Sequence, residues 1–516
     1  MHKIILLPFL FLLIFSCSEE AKKDEKKNSN FNVPTDLSFQ DNAISLISSQ
    51  ENVVSYGSIK MNQLLTKGIV NAEIGKSGVM KTTIEDLEKM GNYINMGVPL
   101  YYAIQYEDIE DSPLAIMPNI LLFGKIKDRE KVISLLKEKN SSASISKSKY
   151  YTLIEDGPMA MAVSNDEFII RIATGNSDGS SKAEMDEMMS ALNRNLKDVD
   201  VMANFDESKD ITIAYNYEAL MNMAQKTELY KNNSELEMNM LAMDLIKSTC
   251  VNLAFDKGEM KFIIKSQYTE EMNEFKLFHD DSKNLIEKLG TGEATGALAA
   301  NINVEEVERF RNKYYPESIS NQLNNSNIPM IEEFLPDELP LIEALMMKDG
   351  IKSFMDGQFA GALFVEGDKE PEASFNFYMG IGPNLKSMIK ENAQLISIML
   401  DEFELENDHI SGYSSSKHAP TQGKALSTTK FEGFGNKPIS MFIDLTKIPT
   451  EGLLSAMDRS LKEYEVLLEL IEVISLEFDM NGGEICIKLK EKDNNALTVI
   501  MNQLTNIIPN LMKQMI

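Results

Sequence analysis

Three regimes of hydrophobic and polar order follow one another along the chain. Ile4 to Phe15 form an apolar run interrupted by Pro8, and Ser18 to Asn32 hold no apolar residue beyond Ala21 and Phe31. From residue 37 onward, short alternating runs intermix with stretches of helical period, the pattern of a folded chain. The segment 142 to 173, SASISKSKYYTLIEDGPMAMAVSNDEFIIRIA, holds three apolar runs punctuated by Asp156-Gly157-Pro158 and Ser164-Asn165-Asp166. Such punctuation predicts a meander of antiparallel strands. Asn494 to Met515 sets Leu497, Ile500, Met501, Leu504, Ile508 and Leu511 on one stripe, predicting a helix with a single face to bury. Strands in hairpins combined with one-faced helices predict an α+β class, with antiparallel sheets carrying helices packed on one face.

The pattern also repeats. ITIAYNYEAL from Ile211 and ISMFIDLTKI from Ile439 each open with a strand-like run ending at a capping-type residue, Asn216 or Asp444. Each of these segments closes on a similar hairpin. Leu253-Ala254-Phe255-Asp256 precedes Gly258-Glu259, and Leu476-Glu477-Phe478-Asp479 precedes Gly483-Glu484, with DKGE and DMNGGE as the turns. Earlier parts correspond as well: VVSYGSIKMNQLL (from Val53) with ALAANINVEEVERF (from Ala297), VPLYYAIQYED (Val98) with GQFAGALFVEG (Gly357), and NILLFGKIKDREKVISLL (Asn119) with ASFNFYMGIGPNLKSMI (Ala373). The offsets run 244, 259, 254 and 228 residues, in constant order. The expectation is a tandem duplication, with halves at 37–290 and 296–516 joined at LGTGEATG (Leu289 to Gly296) and Phe255 and Phe478 at matching buried positions.

The first two regimes concern targeting. The run Ile4 to Phe15 follows Lys3 and is too short to span a bilayer, but it fits the ~7 to 15 residue apolar core of a secretory signal. Ile14-Phe15-Ser16 before Cys17 resembles the lipobox of bacterial lipoproteins. That resemblance implies a signal peptide at 1–16, a thioether to diacylglycerol at Cys17, and acylation, as by palmitate, of the new amino group. Residues 17–36 are then a tether, because four acidic residues and four lysines between Ser18 and Asn32 leave too little apolar surface to offset chain entropy. Glu19-Glu20 directly after the cysteine is similar to the surface-export signal of Bacteroidota lipoproteins. With the VVSYGSIKMNQLL strand and the repeated strand-helix-hairpin units, the chain resembles Bacteroidota outer-membrane lipoproteins that carry a domain of unknown function. The resemblance implies an outer-membrane, lipid-anchored protein, exposed at the cell surface or, as the alternative, facing inward on the same anchor, and supplies no catalytic residue.

Composition narrows the function. Of 516 residues, 43% are hydrophobic and 25% charged, enough for two or more cores. Without residues 1–16 the chain holds 50 basic and 79 acidic residues, a formal charge of −29, which disfavours nucleic acid as a partner. After lipidation Cys250 and Cys486 remain, so a disulfide framework and a cysteine-rich zinc site are excluded; two buried strand thiols are expected, with one bridge between them as the alternative.

Candidate chemistry is sparse. His279, His409 and His418 lack the HxxxH or HxH spacing of metal hydrolases, and neither a GxSxG elbow nor a Walker loop occurs. GTGEATG precedes a strand rather than a helix, which excludes a dinucleotide loop. DMNGGE lacks the later ligands of a calcium loop. Met185, Met188 and Met189, with Met238, Met240 and Met243, could present thioethers to Cu(I), although the same spacing suits core packing. These features nominate no catalytic, cofactor or metal residue and leave Cys17 as the one site residue. The expectation is a membrane-anchored, non-catalytic binding or structural module that meets an envelope protein or ligand without a cofactor. The alternatives are an envelope hydrolase using carboxylates outside any recognised motif and a Met-rich metal-handling protein.

Overall fold

The computed structural model describes residues 39–69, 91–107, 117–139, 143–173, 181–192, 201, 209–225, 243–314, 350–367, 372–396, 402–420, 426–448 and 465–503. The chain forms two compact units, each mixing helices with antiparallel sheet. One gathers Met1–Glu237, Lys247–Met260 and Glu491–Ile516, the other Met238–Ile246 and Lys261–Lys490.

In the first unit, the strands are β1 (Val53–Ile59), β2 (Leu100–Glu107), β3 (Met117–Lys125), β4 (Ser144–Lys147), β5 (Thr152–Asp156), β6 (Met159–Val163), β7 (Glu167–Ala173), β8 (Ile211–Asn216) and β9 (Ile246–Asp256). They pair antiparallel in the order β4-β5-β6-β7-β3-β2-β1-β8-β9. The expected meander is therefore present as β4 to β7, and its β5–β6 turn uses the positive φ of Gly157 (56°).

Helices cover both faces of this sheet, correcting the expectation of one. Leu121, Phe123, Leu153 and Ile169 pack beneath α1 (Phe39–Ser48) and α3 (Ser181–Ala191), whereas Leu122, Ile154, Phe168 and Ile170 pack beneath α2 (Arg129–Lys139). Adjacent residues on one strand thus enter opposite cores. The reason is legible in NILLF and FIIRI, where apolar residues run continuously instead of alternating, as strands buried on both faces require. Each such Leu, Ile or Phe contributes about 1.5–3 kcal/mol of burial. The Ser45 hydroxyl ties the two helices of one face together by donating to the Ala191 carbonyl at 2.6 Å.

Asn216 ends β8 as a cap: its Oδ1 accepts from the Ala219 amide at 3.2 Å and starts α4 (Tyr217–Gln225). At the DKGE turn Gly258 takes φ 67° and donates its amide to the Asn494 carbonyl at 2.9 Å, while Asn495 Nδ2 donates to the Phe255 carbonyl at 2.7 Å. Residues 496–503 are helical and bury Ala496, Val499 and Met501, so the predicted terminal helix begins as expected. Leu504, Ile508 and Leu511 lie outside the described residues.

The second unit holds β10 (Glu259–Tyr268) from Lys261 onward, β11 (Gly292–Glu293), β12 (Gly296–Asn301), β13 (Met355–Glu366), β14 (Glu372–Ile381), β15 (Glu402–Leu405), β16 (His409–Tyr413), β17 (Leu426–Ser427), β18 (Ile439–Asp444), β19 (Ile471–Asp479) and β20 (Gly482–Leu489). Eight of these pair antiparallel in the order β15-β16-β14-β13-β12-β18-β19-β20, and β11 pairs with β17 in parallel. Leu285 of α5 (Lys283–Ile286) packs with Ala297, Ala299, Phe364 and Phe442 on one face, and α6 (Val304–Tyr314) follows β12. On the other, Leu385 and Ile389 of α7 (Pro383–Ile396) pack with Ile381 and Ile410. Asp444 caps the turn after β18, its Oδ1 accepting from the Thr446 amide at 3.0 Å.

The expected boundary between halves is also corrected. LGTGEATG is not a joint but part of the second unit's core, with Leu289 and Thr295 fully buried. Asn376 Nδ2 donates to the Leu289 and His418 carbonyls at 2.9 and 2.7 Å, and the Thr291 amide donates to the His418 carbonyl at 3.2 Å. A Cβ at Gly290 (φ 89°) would lie 2.0 Å from that same oxygen, so close packing rather than flexibility explains the glycines. Conversely, residues 491–503 fold into the first unit, which a boundary at 290 had placed with the second half. Phe255 is buried whereas Phe478, expected at the matching position, is only half-buried on a face whose row members are mostly half-buried as well.

Candidate functional site

The register of the second sheet defines three rows across six strands, β14-β13-β12-β18-β19-β20. The first row is Phe375, Leu363, Gly296, Ile443, Ile474 and Ile487. The second is Phe377, Gly361, Leu298, Met441, Leu476 and Ile485, and the third Met379, Phe359, Ala300, Ile439, Phe478 and Gly483. All three lie on one face, since they are offset by two residues. That face carries no polar side chain along these rows, yet Gly296 alone of their members is buried. Phe359 and Phe375 are 39% and 40% exposed.

The intervening row on the opposite face is Asn376, Ala362, Ala297, Phe442, Ser475 and Cys486, all buried. Sidedness is therefore inverted relative to an ordinary half-solvated antiparallel sheet, where the wetter face is the polar one. Packing by α7 reaches Phe377 and Met379 on the β14 side of the apolar face. Among the described residues, a Cβ at Gly361 would meet nothing nearer than the Asn376 carbonyl oxygen at 3.8 Å.

Polar groups gather elsewhere. Lys67 Nζ sits 2.8 Å from both oxygens of Asp210, whose side chain is 1% exposed and also accepts the Phe255 amide at 2.7 Å. Lys67 belongs to a π-helical turn, Leu65–Ile69, and its carbonyl accepts from the Thr498 hydroxyl. A half-open cavity of about 390 Å³ in the same unit is lined by Phe39, Met96 and Tyr101 with Gln40, Lys60 and Gln63. In the second unit the buried His418 ring stacks on Phe364 with centroids 3.9 Å apart, its Nδ1 3.1 Å from the Thr291 carbonyl oxygen. Glu477 and Glu484 oppose each other on β19 and β20. Burial, and then the charge of Glu484, raise the Glu477 carboxyl above its ordinary value.

The residues singled out by sequence do not converge. Cys17, Glu19 and Glu20 lie outside the described residues. His279 and His409 are on separate surface segments, His409 Nδ1 being 2.9 Å from Asp408, and no three His, Cys, Asp or Glu among the described residues are arranged to hold a metal ion. Met185, Met188 and Met189 are enclosed in the first unit's core, which matches the packing explanation of their spacing; Met243 is exposed, and Met238 and Met240 lie outside the described residues. Cys250 and Cys486 are buried strand thiols that are not joined in a disulfide. Among the described residues no helix is long and apolar enough to cross a membrane. The apolar rows themselves were missed. Their signal was present in GALAA (Gly296 to Ala300), where both alternating sets are apolar or small, and in the Ile474, Leu476, Phe478 set of ISLEF, but burial decides which set is covered.

No family model matches the chain, and no curated protein matches it. Among solved structures, crystal form IV of TP0453 aligns at 11% identity and a TM-score of 0.28, covering 43% of this chain and 79% of that one. Crystal form III aligns at 12% identity and 0.27, covering 44% and 80%. At such scores the likeness carries neither fold nor function to this chain.

Proposed function

We propose that the chain is a lipid-anchored, non-catalytic binding module of the bacterial outer membrane, attached through acylated Cys17 and built from two duplicated α+β repeats. The observation that carries the binding role is the apolar, half-buried face of the second unit's sheet, on which Phe359 and Phe375 are exposed, while Asn376 and Ser475 are buried on the opposite side. A partly exposed apolar patch of a few hundred Å² is the kind of surface that is often an interaction site.

The duplication is supported by strand order. Each unit runs from a meander strand through β3-β2-β1-β8-β9 or β14-β13-β12-β18-β19, with a helix after β3 (α2) or β14 (α7) and a side-chain cap at Asn216 or Asp444. The first repeat carries two additional meander strands, β4 and β5. An experimental structure in which these five strands fail to superpose between the units would refute it.

Anchoring rests on Ile4 to Cys17 and is tested by Cys17→Ser, which abolishes acyl labelling and salt-resistant membrane association. Glu19-Glu20 directs the domain outward, and protease shaving of intact cells then releases it by cleavage near Lys22 to Lys27. Protection until the outer membrane is opened would overturn the outward placement without touching the anchor.

A further inference from the structure

We infer that the apolar face of β12 to β20 binds the acyl chain of a single lipid-class amphiphile. The ligand follows from three features of the face. First, the three rows present no charge and no hydrogen-bonding side chain, so they can select hydrocarbon and little else; a peptide or sugar would leave its own polar groups unpaired at a cost.

Second, size discriminates between occupants. Leaving out β14, whose Phe377 and Met379 are packed by α7, five strands at ~4.8 Å spacing extend about 19 Å, and three rows at two-residue intervals about 13 Å. That area, roughly 250 Å² in plan, is long enough for one acyl chain, which reaches ~15 Å in a bilayer leaflet. Two copies packed face to face would bury about 500 Å², below the ~1,000 Å² of a specific protein interface, and each copy carries the acidity of a −28 chain.

Third, relief suits a chain-shaped ligand. Gly361, Gly296 and Ala300 leave low ground on β12 and β13 between the Phe359 and Phe375 rings and the Ile439, Met441 and Ile443 side. Gly361 in particular lies within a strand without a positive φ, and no described residue crowds a Cβ placed on it, so a larger residue fits there among the described residues. The inference rests on the lipid-anchored reading for the supply of lipid, because Cys17 would hold this face beside a membrane.

The test uses the full chain carrying Cys17→Ser, with pyrene-labelled hexadecanoic acid as the probe and phosphatidylcholine vesicles as a second arm. Saturable, one-to-one probe binding is expected, weakened at least tenfold by Met441→Glu and by Gly361→Phe, with Tyr150→Glu in the first unit leaving it unchanged. Circular dichroism confirms that each variant folds; should Met441→Glu fail to fold, Gly361→Phe decides alone. Absence of saturable binding overturns the inference, as does binding that survives both substitutions. Binding to vesicles without monomeric probe uptake also overturns it in favour of bilayer docking, and a dimer dissolved by Met441→Glu without probe uptake overturns it in favour of a second copy. Failure of acyl labelling at Cys17 would refute the anchor and leave this measurement intact.

Discussion

Truncating one phenylalanine on each face of the second unit's sheet separates a covered surface from an open one. Phe442 is 1% exposed and packs edge-on against Phe434 with ring centroids 5.4 Å apart. Removing it forfeits burial and leaves a cavity, a cost of about 3–5 kcal/mol. Phe359 is 39% exposed, so roughly 60% of a burial worth ~1.5–3 kcal/mol is at stake, and no closed cavity forms; Phe359→Ala should cost about 1–2 kcal/mol. Urea unfolding of the Cys17→Ser chain, followed by far-ultraviolet circular dichroism, reads the difference. With a slope of ~3 kcal/mol/M for a unit of this size, Phe442→Ala lowers the midpoint of the affected transition by at least about 1 M, and Phe359→Ala by about half that or less. Equal losses for the two variants would mean that Phe359 is covered in the native protein, and the open face would not exist.

Other consequences are local to each unit. Lys67→Ala strands the buried Asp210 carboxylate and should destabilise the first unit by about 3 kcal/mol, with the Lys67→Met, Asp210→Asn double variant recovering part of it, as read by its unfolding midpoint. For Glu477, burial and Glu484 raise the folded value above the ordinary 4.5, so its favourable contribution is present below about pH 4.5 and is lost as pH rises through the raised value; Glu477→Gln should flatten that decline in midpoint against pH, and an unchanged slope would count against it. Asn216→Ala removes the cap of α4 and should cost about 1 kcal/mol, seen as faster amide hydrogen exchange over Tyr217–Gln225.

Much of the architecture was legible in local pattern. Hairpin turns at Gly157 and Gly258, caps at Asn216 and Asp444, and the meander up to Ala173 are encoded within a few residues, where φ preference and side-chain hydrogen bonding act. Layering was not, because a strand such as NILLFGK announces only that both its faces are apolar; which helices cover them depends on contacts more than a hundred residues away, such as Ser45 with Ala191. The packed segment at Leu289 to Gly296 was misread for a related reason. Small residues suit both a flexible joint and a tight fit, and only the nearby His418 carbonyl distinguishes them. The candidate site was illegible for the same cause. Leu298 and Ala299 look equivalent in sequence, and one faces the half-exposed side while the other is completely buried.

The central claim, that a lipid-anchored domain offers an open hydrocarbon-binding face, is tested most directly by placing the photo-crosslinking residue p-benzoylphenylalanine at position 359 of the lipidated protein in intact membranes. The account predicts that illumination attaches lipid at position 359 and not at the buried position 442, detectable as an added lipid mass on the peptide containing residue 359. Crosslinks from position 359 to other parts of the same chain, with no lipid adduct, would contradict it.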